Sequence, residues 1–441
     1  MTQGKILLPL VSFTIPLVLG NLFQLTYNAA DSVIVGKYVG EQALAAVGTS
    51  TPIMNIAILL ISGMCMGASV LMSSQYGAKD YDTLSRQIST TMLAGCGFSV
   101  VFSLLMLLLA NPVLRLIRVP ETAIPEAAAY LRIIFMGLIF TFMYNFLANT
   151  MRALGDSKTP LYFLVTSAFL NIFGDLFFVV VLRWGVAGSA IATVCSEGLC
   201  CLLCGIYIKK KIPLLCLGKK WWVFDKSLLG KTVSYGSTSA MQQVCLQLGK
   251  LIIQSVVNTQ GVAVMAAFTA VNRVDDFAYT PQQNIGHAMT TFLAQNKGAG
   301  HKERMKKGFQ TGLLIELVYS IGLFCVIWGL APQIMTLFAE DGDAQVVSLG
   351  ISYLHLISWM YILPGLTNGV QGFFRGIGDL KVTLYSTFMN MFGRVVAVFV
   401  MIRLLQMEFA SLAWANMVGW IVMLLFEVPL LVKSMRNGEC G

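Results

Sequence analysis

The stretch MRALGDSKTPLY, residues 151–162, returns as FRGIGDLKVTLY, residues 374–385. Arg152, Gly155, Asp156, Lys158, Leu161 and Tyr162 correspond to Arg375, Gly378, Asp379, Lys381, Leu384 and Tyr385, an offset of 223 residues. QYGAKD at Gln75 and NKGAGH at Asn296 correspond in the same way at an offset of 221. In the first pair Gly permits a turn and Asp is placed to cap the helix that follows. A 441-residue chain that repeats at this interval is two copies of one unit.

Composition says what the unit is made of. The chain is 56% hydrophobic and 12% charged, against roughly 25% charged residues in a soluble domain. So little charge cannot cover a surface in water, and the chain reads as a polytopic membrane protein. A span needs about 20 largely apolar residues. Twelve such segments occur, centred near residues 22, 60, 98, 138, 170, 197, 245, 280, 318, 360, 392 and 420. Six repeat as six, and because six is even the copies share an orientation, related by an axis along the membrane normal. The expected fold is all-α: twelve transmembrane helices as two six-helix lobes around a V-shaped cleft. Residues 1–208 form the N-lobe, 209–225 a cytoplasmic linker with Pro213, Trp221 and Trp222, and 226–441 the C-lobe.

Charge sets the topology. With both termini cytoplasmic, 21 Lys and Arg fall on inner turns and 5 on outer ones (Lys37, Arg115, Arg118, Arg183 and Arg403). That is the expected inward bias. Lys219 and Lys220 are among the inner set, and the acidic turn Glu340, Asp341, Asp343 falls outside. The net charge of +9 therefore reports loops of a membrane protein, not a nucleic-acid partner. The first apolar stretch lacks a small-residue cleavage site, so it reads as a span and not a removed signal.

The chemistry starts in GNLFQLTYNAADSVIVG, residues 20–36. Asn21, Gln24, Asn28 and Asp31 step by three, four and three, and Tyr27 shares their helical face. A charge inside the bilayer costs roughly 2.5–3.5 kcal/mol or more, so chains keep one for a reason. The fifth segment, LNIFGDLFF, sets Asn171 and Asp175 one helical turn apart. Thr193 lies two turns into the sixth. By topology, Asp31, Asn171, Asp175 and Thr193 share a depth. Two carboxylates, an amide and a hydroxyl form an oxygen set suited to Na⁺. The same pair suits a proton, because two carboxylates in one apolar site cannot both ionise easily.

YNAADSVIVG, MRALGDSKTP, LNIFGDLFF and GVAGSAIATV, in this order within a six-plus-six repeat, resemble the multidrug and toxic compound extrusion (MATE) antiporters, most closely the DinF-like bacterial branch. The resemblance covers essentially the whole chain. It implies a secondary active exporter of amphipathic, drug-like small molecules in the bacterial inner membrane, working by alternating access. The cation or proton site of that branch falls on Asp31, Asn171, Asp175 and Thr193, and Gln24 and Tyr27 match positions near its substrate chamber. The family implies no enzyme activity and no cofactor beyond a coupling ion, Na⁺ or H⁺. A monomer among membrane lipids is expected.

The second lobe differs. The counterparts of Asp31, Asn171, Asp175 and Thr193 are Ile252, Arg394, Val398 and Asn416, so coupling is expected in the N-lobe. Lys250 and Arg394, with Arg273, Asp275, Asp276, Glu316 and Glu427, read as salt bridges within the C-lobe, or as a basic wall of the cleft. Asn28, Asn145 and Asn149 are further polar candidates for the cleft. Glu197 either extends a proton path or pairs with a neighbour. His287 reads as a helix–helix contact. Cys200, Cys201 and Cys204 have no His nearby and read as packing. LLGKTVS has Asp225 where a phosphate-binding loop needs its first Gly, so no ATP site of that kind is present. The alternative is a flippase for lipid-linked saccharides, of related architecture, with Lys250 and Arg394 on its phosphate.

Overall fold

In the computed structural model every residue is described except 118, 122, 213–221, 339–343, 406–408, 410 and 437–441, and the side chains of 32, 41, 42, 44, 45, 403 and 404. Arg118, Pro213, Lys219, Lys220, Trp221 and the acidic turn at 340–343 lie outside the described residues, as does the side chain of Arg403.

The described residues form helices and turns, without strands. Helices α1 (Leu7–Tyr38), α2 (Glu41–Gly77) and α3 (Tyr81–Leu116) are followed by α4 (Ile124–Met136) and α5 (Leu138–Ala153). This pair is one span bent by 46°. Next come α6 (Lys158–Asp175) and α7 (Gly185–Lys211). The second series is α8 (Lys226–Val257), α9 (Val262–Gly298), α10 (Lys302–Phe338), α11 (Ala344–Ser358), α12 (Ile362–Ile377), α13 (Leu380–Phe399) and α14 (Ser411–Arg436). Helices α11 and α12 are joined by a single 3₁₀ turn, Trp359–Tyr361. Among the described residues, nine helical stretches are each long and apolar enough to cross a membrane, and the bent pair makes a tenth. Helices α8 and α9, which open the second series, are the more polar remainder. Long helices suit this solvent because they satisfy their own backbone where water cannot.

The repeat is visible in the backbone. Gly155 and Gly378 end the matching turns at φ 94° and 85°, a conformation costly for a residue with a Cβ. Asp156 Oδ1 accepts from the amides of Lys158 and Thr159 at 3.0 Å each and caps α6. Its counterpart Asp379 stands directly before α13 and makes no side-chain cap, contrary to the expectation for both. Helix α6 continues into a π-helical stretch, Leu176–Val181, and α13 into another, Val400–Leu404.

Two compact units result. One is Ile15–Ala240; the other is Met1–Thr14 together with Met241–Gly441. The division falls inside α8 and not within the basic segment 209–225. The first half of α8 is fixed to the first unit. Asp225 caps it through the amides of Ser227 and Leu228 and accepts from Arg86 Nη2 at 2.6 Å. Gln87 Nε2, fully buried on α3, donates to Thr232 Oγ1 at 2.5 Å. Glycines let α2 and α8 touch backbone to backbone. A Cβ on Gly67 would stand 2.5 Å from the carbonyl carbon of Tyr235, and one on Gly63 2.6 Å from Ala240 Cα. Small residues serve this purpose at helix contacts in lipid. In the second unit the tail is held by one guanidinium: Arg304 donates to the carbonyls of Met1, Gln3 and Gly4 at 2.7–3.3 Å.

Each unit has its own apolar core. In the first, Phe135, Phe142 and Phe146 pack with Cys200, Cys204 and Ile208, so the cysteines sit in the core. In the second, Phe268, Tyr353, Met360 and Tyr361 are central.

Gly67→Val places a side chain against rigid backbone. Overpacking of this kind costs roughly 1–3 kcal/mol, so the purified variant melts several degrees below the parent protein in a detergent thermal-shift assay.

Candidate functional site

In the first unit α6 and α7 approach closely because Gly174 faces Ala192, where a Cβ would meet the Ala192 Cβ at 2.9 Å. Gly188 lies against the carbonyl of Phe178 in the π stretch, 3.0 Å from an added Cβ. These contacts set Asn171 and Asp175 of α6 beside Ser189 and Thr193 of α7. Helix α1 brings Asp31. π-Helical insertions within α-helices recur at functional sites, and this one starts at the residue after Asp175.

The polar bonds are specific. Ser189 Oγ donates to Asp31 Oδ1 at 2.6 Å. Asn171 Nδ2 donates to Thr193 Oγ1 at 3.1 Å. Asp175 is fully buried, with Asp31 and Ser189 as its polar neighbours. Ser189 and Asp31 lie close enough to act on it, but no donor stands in hydrogen-bonding geometry on either of its oxygens or on Asn171 Oδ1. The site is therefore rich in acceptors and short of donors. An unpaired carboxylate removed from water costs several kcal/mol, and a bound cation or proton removes that cost. Among the described residues no three His, Cys, Asp or Glu side chains converge. A cation here would rest on two carboxylates and neutral oxygens, which fits Na⁺ or a proton and does not fit a transition metal.

Glu197 lies one turn beyond Thr193, and Thr141 Oγ1 donates to its Oε2 at 2.5 Å. Tyr130 faces Asp31, Asp175, Tyr27 and Glu197, and Tyr27 is near Gln24. Gln24 and Asn28 are exposed on α1 and Tyr27 is half-buried. Asn145 and Asn149 donate to the carbonyls of Thr141 and Asn145 at 2.9 and 2.8 Å, so their amide groups bond along their own helix. Sequence reasoning missed Ser189, Tyr130 and Thr141. Ser189 had a signal, since Ser189, Thr193 and Glu197 step by four along α7. Thr141 had none.

The second unit is not bare of acids. Asp275 on α9 is 4% exposed and accepts from Tyr361 Oη at 2.5 Å and from Tyr353 Oη at 3.5 Å. Asn416 Nδ2 donates to Tyr353 Oη at 2.8 Å. By the repeat Tyr353 matches Tyr130 and Asp275 matches Met54. Tyr130 Oη lies 4.0 Å from Met54 Sδ, so the contact recurs with a different partner. Lys250 pairs with Asp276 at 3.5 Å, both side chains more than half exposed, a contact worth little energy. Arg394 faces Asp275, Tyr279 and Tyr353, with its Nε buried and unbonded. Of the salt bridges expected in the C-lobe, Lys250–Asp276 forms. Glu316 is buried without a hydrogen-bond partner, and Glu427 is buried beside Ser386, Gln371 and the Arg375 guanidinium.

The MatE family model matches this chain twice, over residues 16–177 and 239–400. The chain belongs to the MatE family. The two matches start 223 residues apart, the interval of the repeat. The probable multidrug resistance protein YpnP of Bacillus subtilis is 32% identical over 386 residues, covering 87% of this chain and 85% of its own. The probable multidrug resistance protein NorM of Thermotoga maritima is 23% identical, covering 94% and 89%. Among solved structures, MATE in the straight conformation superposes with a TM-score of 0.91 at 22% identity, covering all of this chain and 98% of that one. A MOP superfamily transporter from Pyrococcus furiosus reaches 0.90 at 21% identity, covering 99% and 98%. MatE proteins are multi-pass membrane transporters and not enzymes.

Asp175→Asn removes the unpaired charge and keeps the shape. The expected result is equal or higher thermal stability of the variant in Na⁺-free buffer, where no metal cation is on hand to offset the buried Asp175 carboxyl.

Proposed function

We propose that the protein is a cation-coupled exporter of small amphipathic molecules, with coupling at Asp31 and Asp175. The single observation that carries this reading is the buried Asp175 carboxyl, both oxygens unpartnered, beside an Asp31 fixed by Ser189. The relatives named for multidrug resistance supply the substrate class.

In this reading Na⁺ or a proton enters from the outer side and settles between the two carboxylates, with Asn171 and Thr193 completing the oxygen set. Neutralising Asp175 changes what α1 and α6 can hold. Tyr27 and Gln24, on the same face of α1 as Asp31, then bind substrate less well, and substrate leaves outwards. Exchange follows because ion and substrate bias one two-state element in opposite directions. Pro16 is where α1 can bend, since its ring removes a backbone bond. The inward bias of Lys and Arg supports a topology with both termini in the cytoplasm of a bacterial inner membrane, and the transporter is read as a monomer. The flippase alternative would have Lys250 exchange its weak, exposed contact with Asp276 for the phosphate, and the relatives named for multidrug resistance favour the exporter.

Reconstituted liposomes loaded with ethidium, with a Na⁺ or a pH gradient imposed separately, test the reading. Wild-type protein is expected to drive efflux under one of the gradients, and Asp31→Asn to abolish it while remaining folded. Full efflux by that variant rules the assignment out. Ser189→Ala removes a bond to a charged group, worth about 1.5–3 kcal/mol. A carboxylate that has lost its donor gains more from an ion, so the ion concentration for half-maximal efflux should fall by roughly ten- to a hundredfold.

A further inference from the structure

Glu316 lies in the middle of α10 and is 1% exposed. Neither of its carboxyl oxygens has a hydrogen-bond partner. Gln282 of α9 is fully buried, and its Oε1 is unpartnered too. The donors nearby are already committed. Gln282 Nε2 donates to Ser320 Oγ at 3.0 Å and to the carbonyl of Tyr361 at 2.8 Å. Ser320 Oγ donates to the backbone carbonyl of Glu316 at 2.7 Å. Tyr319 Oη donates to the carbonyl of Ala278 at 3.1 Å. Among the described residues no Lys or Arg forms an ion pair with this carboxyl. The titratable groups around it are Tyr319 on its own helix and, through Tyr361, Asp275.

These atoms converge on a glycine. A Cβ on Gly365 of α12 would stand 2.9 Å from Ser320 Oγ, 3.2 Å from Gln282 Nε2 and 3.4 Å from Glu316 Oε2. Gly365 follows the break between α11 and α12, where Tyr361 presents its carbonyl to Gln282. The result is an oxygen-rich cradle with no wall on one side.

The repeat shows that packing does not require it. The counterparts of Gln282, Glu316, Ser320 and Gly365 are Ile61, Gly95, Ser99 and Phe142. In the first unit a Cβ on Gly95 would meet Phe142 Cζ at 1.9 Å, and Ile61 and Phe142 are core residues. The glycine has thus changed sides. Where the first unit has glycine on the third helix and a ring on the fifth span segment, the second has a carboxylate on α10 and glycine on α12. The fold accepts a dry apolar filling at this place. The second unit instead keeps a bare carboxylate there.

We propose that Glu316, with Gln282, Ser320 and the Tyr361 carbonyl, forms a further site for a small monovalent cation, separate from Asp31 and Asp175. Three acceptors, one of them a carboxylate, face a place where every neighbouring protein donor is already spent, and a positive charge is the partner that satisfies all three at once. The oxygen set serves Na⁺ or a proton.

The test uses full-length protein carrying Asp31→Asn and Asp175→Asn, so that the first unit is silent. Melting temperature is followed against NaCl, with choline chloride keeping ionic strength constant, and against pH in choline chloride alone. The expected result is a cation-dependent rise in melting temperature, by Na⁺ in the first arm or by protons in the second, that Glu316→Gln abolishes. Gly365→Ala keeps the carboxylate and fills the cradle, and should shift the midpoint by roughly tenfold or more. No response in either arm overturns the proposal, as does a response that survives Glu316→Gln. If wild type responds no more than the double variant, the Asp31–Asp175 reading fails and this site stands.

Discussion

Taking a carboxylate out of water costs more than any other placement this chain makes, and the rest of its polar architecture is arranged around that cost. An apolar helix in lipid needs nothing from its neighbours except close packing. A buried acid needs a donor, a cation or a proton. Asp31 has Ser189, Asp275 has two tyrosine hydroxyls and Glu197 has Thr141. Glu427 has Ser386, Gln371 and Arg375 beside it, whereas Glu316 has no donor and no donor stands in hydrogen-bonding geometry on either oxygen of Asp175. The division between satisfied and unsatisfied acids is more informative than the acids' positions alone, because it separates those the fold completes from those it leaves for something else.

The two halves show how one frame takes opposite chemistry. They share a bent or broken fourth span, a glycine turn with positive φ and a π-helical extension at matching places. Backbone features are conserved between the copies where side chains are not. A contact between Tyr130 and Met54 in one becomes a contact between Tyr353 and Asp275 in the other. This is the behaviour expected when backbone satisfaction fixes the helices and leaves the cavities between them free to differ.

The length of the apolar stretches and the repeated turn made the helices legible, because both are local properties of the chain. Asp31, Asn171, Asp175 and Thr193 were legible too, since a charge or amide in an apolar span stands out in any reading. What was hidden depended on distance in the chain. Ser189 meets Asp31 across 158 residues; its spacing from Thr193 and Glu197 marked the face of α7 it shares but not the distant acid it bonds. Asp379 failed as a cap although Asp156 succeeded, because α13 begins one residue earlier relative to the motif. The packing of α8 depends on distance in the same way. Basic composition marks a segment as a turn, but Gly63 and Gly67, far upstream, decide that α8 starts in the first unit.

The hold of Arg304 on the carbonyls of residues 1–4 spans about three hundred residues. During synthesis the tail emerges long before its guanidinium exists. Helix α1 must therefore enter the membrane with its leading end unplaced, and wait until the third helix of the second series has been made. Closing so long a loop is among the slowest kinds of folding step. The order in which the chain is made and the order in which it is finished are consequently reversed at this end, and the opening residues are among the last to reach their final positions.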